Sequence, residues 1–132
     1  MSGRVMIQDG GLSRAARAGD GFLQAVSPIV ITADAVDTLN VTKIAAGLVA
    51  YTGLTAARVL TTDTAANLVA AFPFLDIGDS IALQVGISTA FAGTLGAGTG
   101  VTLRGKAAVP ASGSAILYFI RTGAATFDCL AI

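Results

Sequence analysis

A mainly β domain, organised as a sandwich or barrel, is predicted by three observations. Residues 81–88 alternate strictly, with Ile81, Leu83, Val85 and Ile87 pointing one way and Ala82, Gln84, Gly86 and Ser88 the other. Residues 114–122 read as a second long strand, with Ile116, Tyr118 and Ile120 on one face and Leu117, Phe119 and Arg121 on the other. Glycine-marked turns recur at intervals of about ten residues, the spacing of short antiparallel strands.

Along the chain, residues 1–21 stand apart and are expected to form an extended N-terminal arm. Gly3, Gly10, Gly11, Gly19 and Gly21 punctuate them, and Arg4, Arg14 and Arg17 outnumber Asp9 and Asp20. Residues 22–132 are then expected to form one β domain. Ile29-Val30-Ile31-Thr32 follows Pro28 and reads as a strand that starts past the proline. Residues 36–42 alternate and are expected to be a strand, as are residues 48–52 and 58–61. Residues 62–72 break the pattern: capping residues open an alanine-rich run in which Leu68, Ala71 and Phe72 share a helical face, and Pro73 stops it. That is the one short helix expected. Gly98 and Gly100 mark a tight connection into a strand at Val101, Thr102 and Leu103, and an apolar strand over residues 126–132 closes the chain. Apolar side chains on both faces of residues 114–122 imply cover on both sides, by a second sheet or another subunit. Tyr51, Leu117, Phe119 and Phe127 are the candidates for a subunit interface.

Composition narrows the partners. The 132-residue chain is 54% hydrophobic and only 12% charged, which leaves little polar material to cover a monomer and favours an oligomer or a docked subunit. Net charge is zero, so no basic face for nucleic acid is expected. Mean hydropathy is +0.77, yet the densest apolar run, residues 68–75, holds Pro73 and falls far short of the roughly 20 residues a spanning helix needs. No membrane partner is expected. Cys129 is alone and reads as a buried structural thiol.

Catalytic chemistry is thinly supplied. There is no histidine, glutamate or tryptophan, which removes histidine-based triads and metal sites, and no enzymatic activity, cofactor or metal is expected. Asp34 with Asp37, and Asp76 with Asp79, are the only close acidic pairs, and both fit turn residues that accept backbone hydrogen bonds better than a hydrolase's carboxylates. Gly100-Val-Thr-Leu-Arg-Gly105-Lys106 has P-loop spacing, but Ala107 stands where Ser or Thr would hold magnesium and the stretch reads as a strand. Tyr51 and Tyr118 suit a core or interface better than a sugar platform.

Three blocks carry a resemblance: Leu60-Thr-Thr-Asp-Thr-Ala-Ala-Asn-Leu-Val-Ala-Ala-Phe-Pro73, Ile77-Gly-Asp-Ser-Ile-Ala-Leu-Gln-Val85, and Ala97-Gly-Thr-Gly-Val-Thr-Leu-Arg-Gly105 with the strand Ser114-Ala-Ile-Leu-Tyr-Phe-Ile-Arg121. As a set, over residues 51–127, they resemble small structural proteins of tailed-phage virions, of the head-decoration (cement) or head-fibre kind. The chain departs from that pattern at Gly86-Ile87-Ser88, where an asparagine would be usual. The resemblance implies a jelly-roll-like sandwich and a homotrimer on the outer capsid surface, with the host cytoplasm as the place of assembly. It implies the major capsid protein as partner and no catalytic residues. On that reading Arg4, Arg14 and Arg17 are the candidate capsid contacts of the arm. The rival reading is a receptor-binding knob or a head or tail fibre that binds host surface glycan.

Overall fold

The computed structural model describes residues 6–9, 12–15 and 27–132. In chain order the described elements are β1 (Met6–Asp9), β2 (Leu12–Ala15), β3 (Ile29–Ile31), β4 (Asp37–Leu39), α1 (Val41–Ala46), β5 (Leu48–Tyr51) and β6 (Arg58–Thr62). They continue with α2 (Ala65–Ala71), β7 (Ser80–Ile87), β8 (Gly93–Gly96), β9 (Val101–Gly105), β10 (Ala108–Val109), β11 (Gly113–Gly123) and β12 (Thr126–Ala131). The protein is mainly β, as its patterning predicts.

Two sheets face each other. One has six strands in the order β3-β5-β7-β11-β12-β9, the other four in the order β10-β8-β6-β4. Both are mixed: β7–β11 and β11–β12 run antiparallel, whereas β3–β5, β5–β7, β12–β9, β4–β6 and β6–β8 run parallel. Parallel neighbours need crossover connections rather than hairpins, and the connection from β3 to its parallel neighbour β5 runs through β4 of the other sheet and then α1. A single core lies between the sheets. Leu39, Leu60 and Leu95 enter it from the four-stranded sheet and Val49, Leu83, Val85, Leu117, Phe119 and Phe127 from the six-stranded one. The sheets approach closely at Gly93, where a Cβ would lie 2.6 Å from Leu60 Cδ1 and 3.1 Å from Ile87 Cδ1. Glycine there is a packing requirement, not a turn.

Two expectations need correction. The strand expected over residues 36–42 stops at Leu39, and a helix starts at Val41. Asn40 is extended and its side chain accepts from Lys43 N at 3.0 Å, while Gly47 closes the last turn at φ 87°. A cap at each end outweighs the β-branched Val41 and Thr42. The described chain therefore has two helices, not one. The second, α2, lies inside the expected residues 62–72 and begins where Thr64 Oγ1 accepts from Asn67 N at 3.2 Å.

The arm expected over residues 1–21 lies largely outside the described residues, as do Arg4 and Arg17. Within it β1 and β2 pair antiparallel, Met6 opposite Ala15 and Asp9 opposite Leu12, and Arg14 lies in β2 opposite Ile7. No helix of the described chain is long and apolar enough to cross a membrane.

Candidate functional site

Alternation gives the six-stranded sheet two different faces. Inward, Ala115, Leu117 and Phe119 of β11 are buried beside Ile81, Leu83 and Val85 of β7. Outward, the register sets Leu48, Gln84 and Ile116 in one row and Ala82, Tyr118 and Leu130 in the next. Most of these outward residues are half-buried and apolar, with small Ala50 and Gly86 between them. Toward the β9 edge this face carries the ion pair of Arg104 Nε with Asp128 Oδ2, 2.7 Å apart. The result is a largely apolar outward face with few charges among the described residues.

This placement corrects the expected interface set. Tyr51, Leu117, Phe119 and Phe127 are at most 1% exposed and lie in the chain's own core. Strand parity decides it: the residues one step away, Ile116, Tyr118 and Ile120, are those turned outward. Cys129 also points inward, and burial pushes its thiol up to about 12, which leaves it unreactive.

Two of the blocks that carry the sequence resemblance, residues 60–73 and 97–105, meet at one end of the sandwich. Thr62 Oγ1 accepts from Gly98 N at 2.9 Å, Ala65 N donates to Thr99 O at 2.9 Å, and Phe127 N donates to Gly100 O at 3.0 Å. Gly100 sits at φ 82°, with Ala65 Cβ 2.7 Å from where its own Cβ would be. Asp63, 8% exposed, ties the helices in: its carboxylate accepts from Val41 N (3.0 Å), Thr64 N (2.8 Å) and Asn67 Nδ2 (2.7 Å). Its charge thus lies at the N-termini of both helices, where the helix dipole favours it. Beside this end Arg121 holds the loop of residues 73–79, which leaves Phe74 and Ile77 44% and 68% exposed.

The acidic pairs resolve into structural contacts. Asp37 of β4 accepts from Tyr51 Oη of β5 at 2.8 Å and pairs with Lys43 Nζ of α1 at 2.9 Å, which joins the two sheets through the helix between them. Burial pushes the Asp37 carboxyl up, but the hydrogen bonds from Lys43 and Tyr51 outweigh it and leave it below its ordinary value. Burial, then the Asp37 carboxylate, push the Tyr51 hydroxyl well above its ordinary value. Arg58 grips the Asp34 carboxylate through Nε and Nη2, both at 3.0 Å, and Thr55 donates to it as well; those hydrogen bonds hold it far below the usual carboxylate range. Asp79 Oδ2 accepts from Asp76 N at 2.9 Å, the turn contact expected of it. The P-loop-like spacing falls on strand β9, and no group of three acidic or thiol side chains among the described residues could hold a metal ion. Every buried polar side-chain atom of the described chain has a partner.

Comparison with protein-family models, curated proteins and solved structures returned no match.

Proposed function

We propose that this chain is a non-enzymatic decoration (cement) protein of a tailed-phage head, which binds the outer shell at capsomer junctions as a homotrimer and stabilises it. One observation carries the reading: the six-stranded sheet turns an apolar, nearly uncharged face outward in a chain with few charges to spare. Contact area is what a cement protein contributes, and an oligomer that engages several capsomers at once gains avidity from effective concentration. The sequence blocks that resemble head-decoration and head-fibre proteins support the same reading, and two of them, residues 60–73 and 97–105, are hydrogen-bonded to one another. The jelly-roll-like form belongs to this proposal. Two sheets around one core support it, and the parallel pairings are a departure from an all-antiparallel roll. The charged side chains Asp34, Asp37, Lys43, Arg58, Arg104 and Asp128 are engaged with one another, which suits contact through shape and apolar area.

Cryo-electron microscopy of the source virion tests the proposal. Trimeric density for this 13.1 kDa chain straddling capsomer junctions is the expected result. Density confined to the tail or to fibre tips would overturn it and favour binding of host glycan.

A further inference from the structure

Strand β9 is a free edge of the six-stranded sheet, with β12 on one side and no strand on the other among the described residues. Its bonds to β12 fix which way its backbone groups point. Phe127 N donates to Gly100 O at 3.0 Å and Lys106 N to Ala131 O at 2.9 Å, so the even-numbered residues of this parallel ladder, Thr102 and Arg104 included, bond to β12. Val101 and Leu103 face the other way. Val101 N is taken up by Gly98 O at 3.0 Å, which leaves Val101 O, Leu103 N and Leu103 O along the open edge. The Leu103 side chain packs against the core, so this edge is held in place.

The hairpin β1–β2 lacks a partner in the complementary way. It pairs with no other strand of the described chain, and an isolated two-stranded hairpin is marginal in water. Asp9 is paired with Leu12 across Gly10 and Gly11, a connection that bonds this closing pair to each other and sets the alternation behind it. Ile7 is therefore bonded to Arg14, while Met6 and Gln8 turn their N–H and C=O groups away from β2.

We infer that β1 of one copy adds as a further strand to the β9 edge of a second copy. Open backbone donors and acceptors on both edges supply the bonds. The chain folded by itself leaves both edges open, which points to a second copy rather than to its own β9. Charge selects β1 over β2: β9 runs into the exposed Lys106, and β1 brings Asp9 where β2 brings Arg14. The donor precedes β3, at one edge of the sheet, and the acceptor β9 lies at the other. Such a contact is head-to-tail and closes into a ring; that the ring holds three copies rests on the function proposed above.

The test is amide hydrogen exchange of the full chain, read residue by residue by NMR across a concentration series, with solution mass measured alongside. The Leu103 amide is expected to exchange at least about tenfold more slowly in the assembled chain than in the dilute one. Gln8→Pro removes the outward N–H of β1 while leaving its bonds to β2, and is expected to abolish that protection. The Arg104 amide, bonded to β12 within the chain, stays protected throughout and reports an intact fold. Asp9→Lys keeps every backbone group and is expected to weaken the Leu103 protection mainly at low salt, where charges are least screened. A fast Leu103 amide in an assembled chain overturns the inference while the trimer stands. Equal protection in the monomer overturns it by placing the chain's own hairpin on β9. Protection that survives Gln8→Pro overturns it by placing a different strand there. A wild type that is monomeric at every concentration overturns the trimer and this inference together.

Discussion

The two faces of the six-stranded sheet are built from the same strands yet follow different rules. On β11, Leu117 and Phe119 are fully buried, whereas Ile116, Tyr118 and Ile120 are partly open. Both sets are apolar. What differs is the companion layer: the inner set belongs to the core shared with the four-stranded sheet, and the outer set is half-buried outside that core. Apolar content alone therefore does not distinguish the core face from the outward face. Parity within the strand does.

Substitution on the inner face should have the largest effect. Phe119→Ala removes a fully buried ring and is expected to cost about 3–5 kcal/mol in denaturant unfolding, a large share of the roughly 5–15 kcal/mol that holds a domain together. The polar edge of that face should respond next. Tyr51→Phe keeps the ring but removes the hydroxyl bonded to Asp37, at an expected cost of about 1–2 kcal/mol.

The same pair predicts a pH window. The Asp37 pKa is lowered on folding, so its contribution is present above the unfolded value near 4 and fades as acid titrates the folded carboxylate. The Tyr51 pKa is raised, so its contribution is present below the unfolded value near 10 and is lost as pH climbs toward the folded one. Unfolding free energy measured against pH should fall on both sides of that plateau, and Tyr51→Phe should shallow the alkaline fall. Asp63→Ala, which removes the acceptor at both helix starts, is expected to cost about 1–2 kcal/mol by the same assay.

The outer face should be the least sensitive in stability and the most sensitive in association. Ile116→Lys is expected to change the stability of the folded subunit by less than about 1 kcal/mol. It should nonetheless reduce the mass of the assembly seen by light scattering. Equal loss of stability from Ile116→Lys and Phe119→Ala would erase the distinction between the faces.

Much of this was legible in the sequence. The alternation of residues 81–87 has one strong period and became β7, and the capped alanine run became α2. Helix α1 was not legible, because residues 36–42 also alternate; Asn40 and Gly47, spaced to cap a two-turn helix, were the signal that could have found it. Strands β8 and β10 were hidden by brevity and by Gly93 and Gly96, which read as turn residues but serve close packing. Leu117 and Phe119, expected at a subunit interface, lie in the core instead, since a strand that is apolar throughout does not say which parity faces the partner sheet. The Arg121 clasp on residues 73–79 spans 46 positions in the chain, a separation at which local pattern carries no information.

Whether the proposed homotrimer forms through the outward face of the six-stranded sheet is tested most directly by the solution mass of the full chain across a concentration series. A mass three times 13.1 kDa that Ile116→Lys reduces to 13.1 kDa without unfolding is the expected result. A wild-type mass of 13.1 kDa at every concentration, or a trimer indifferent to Ile116→Lys, would contradict it.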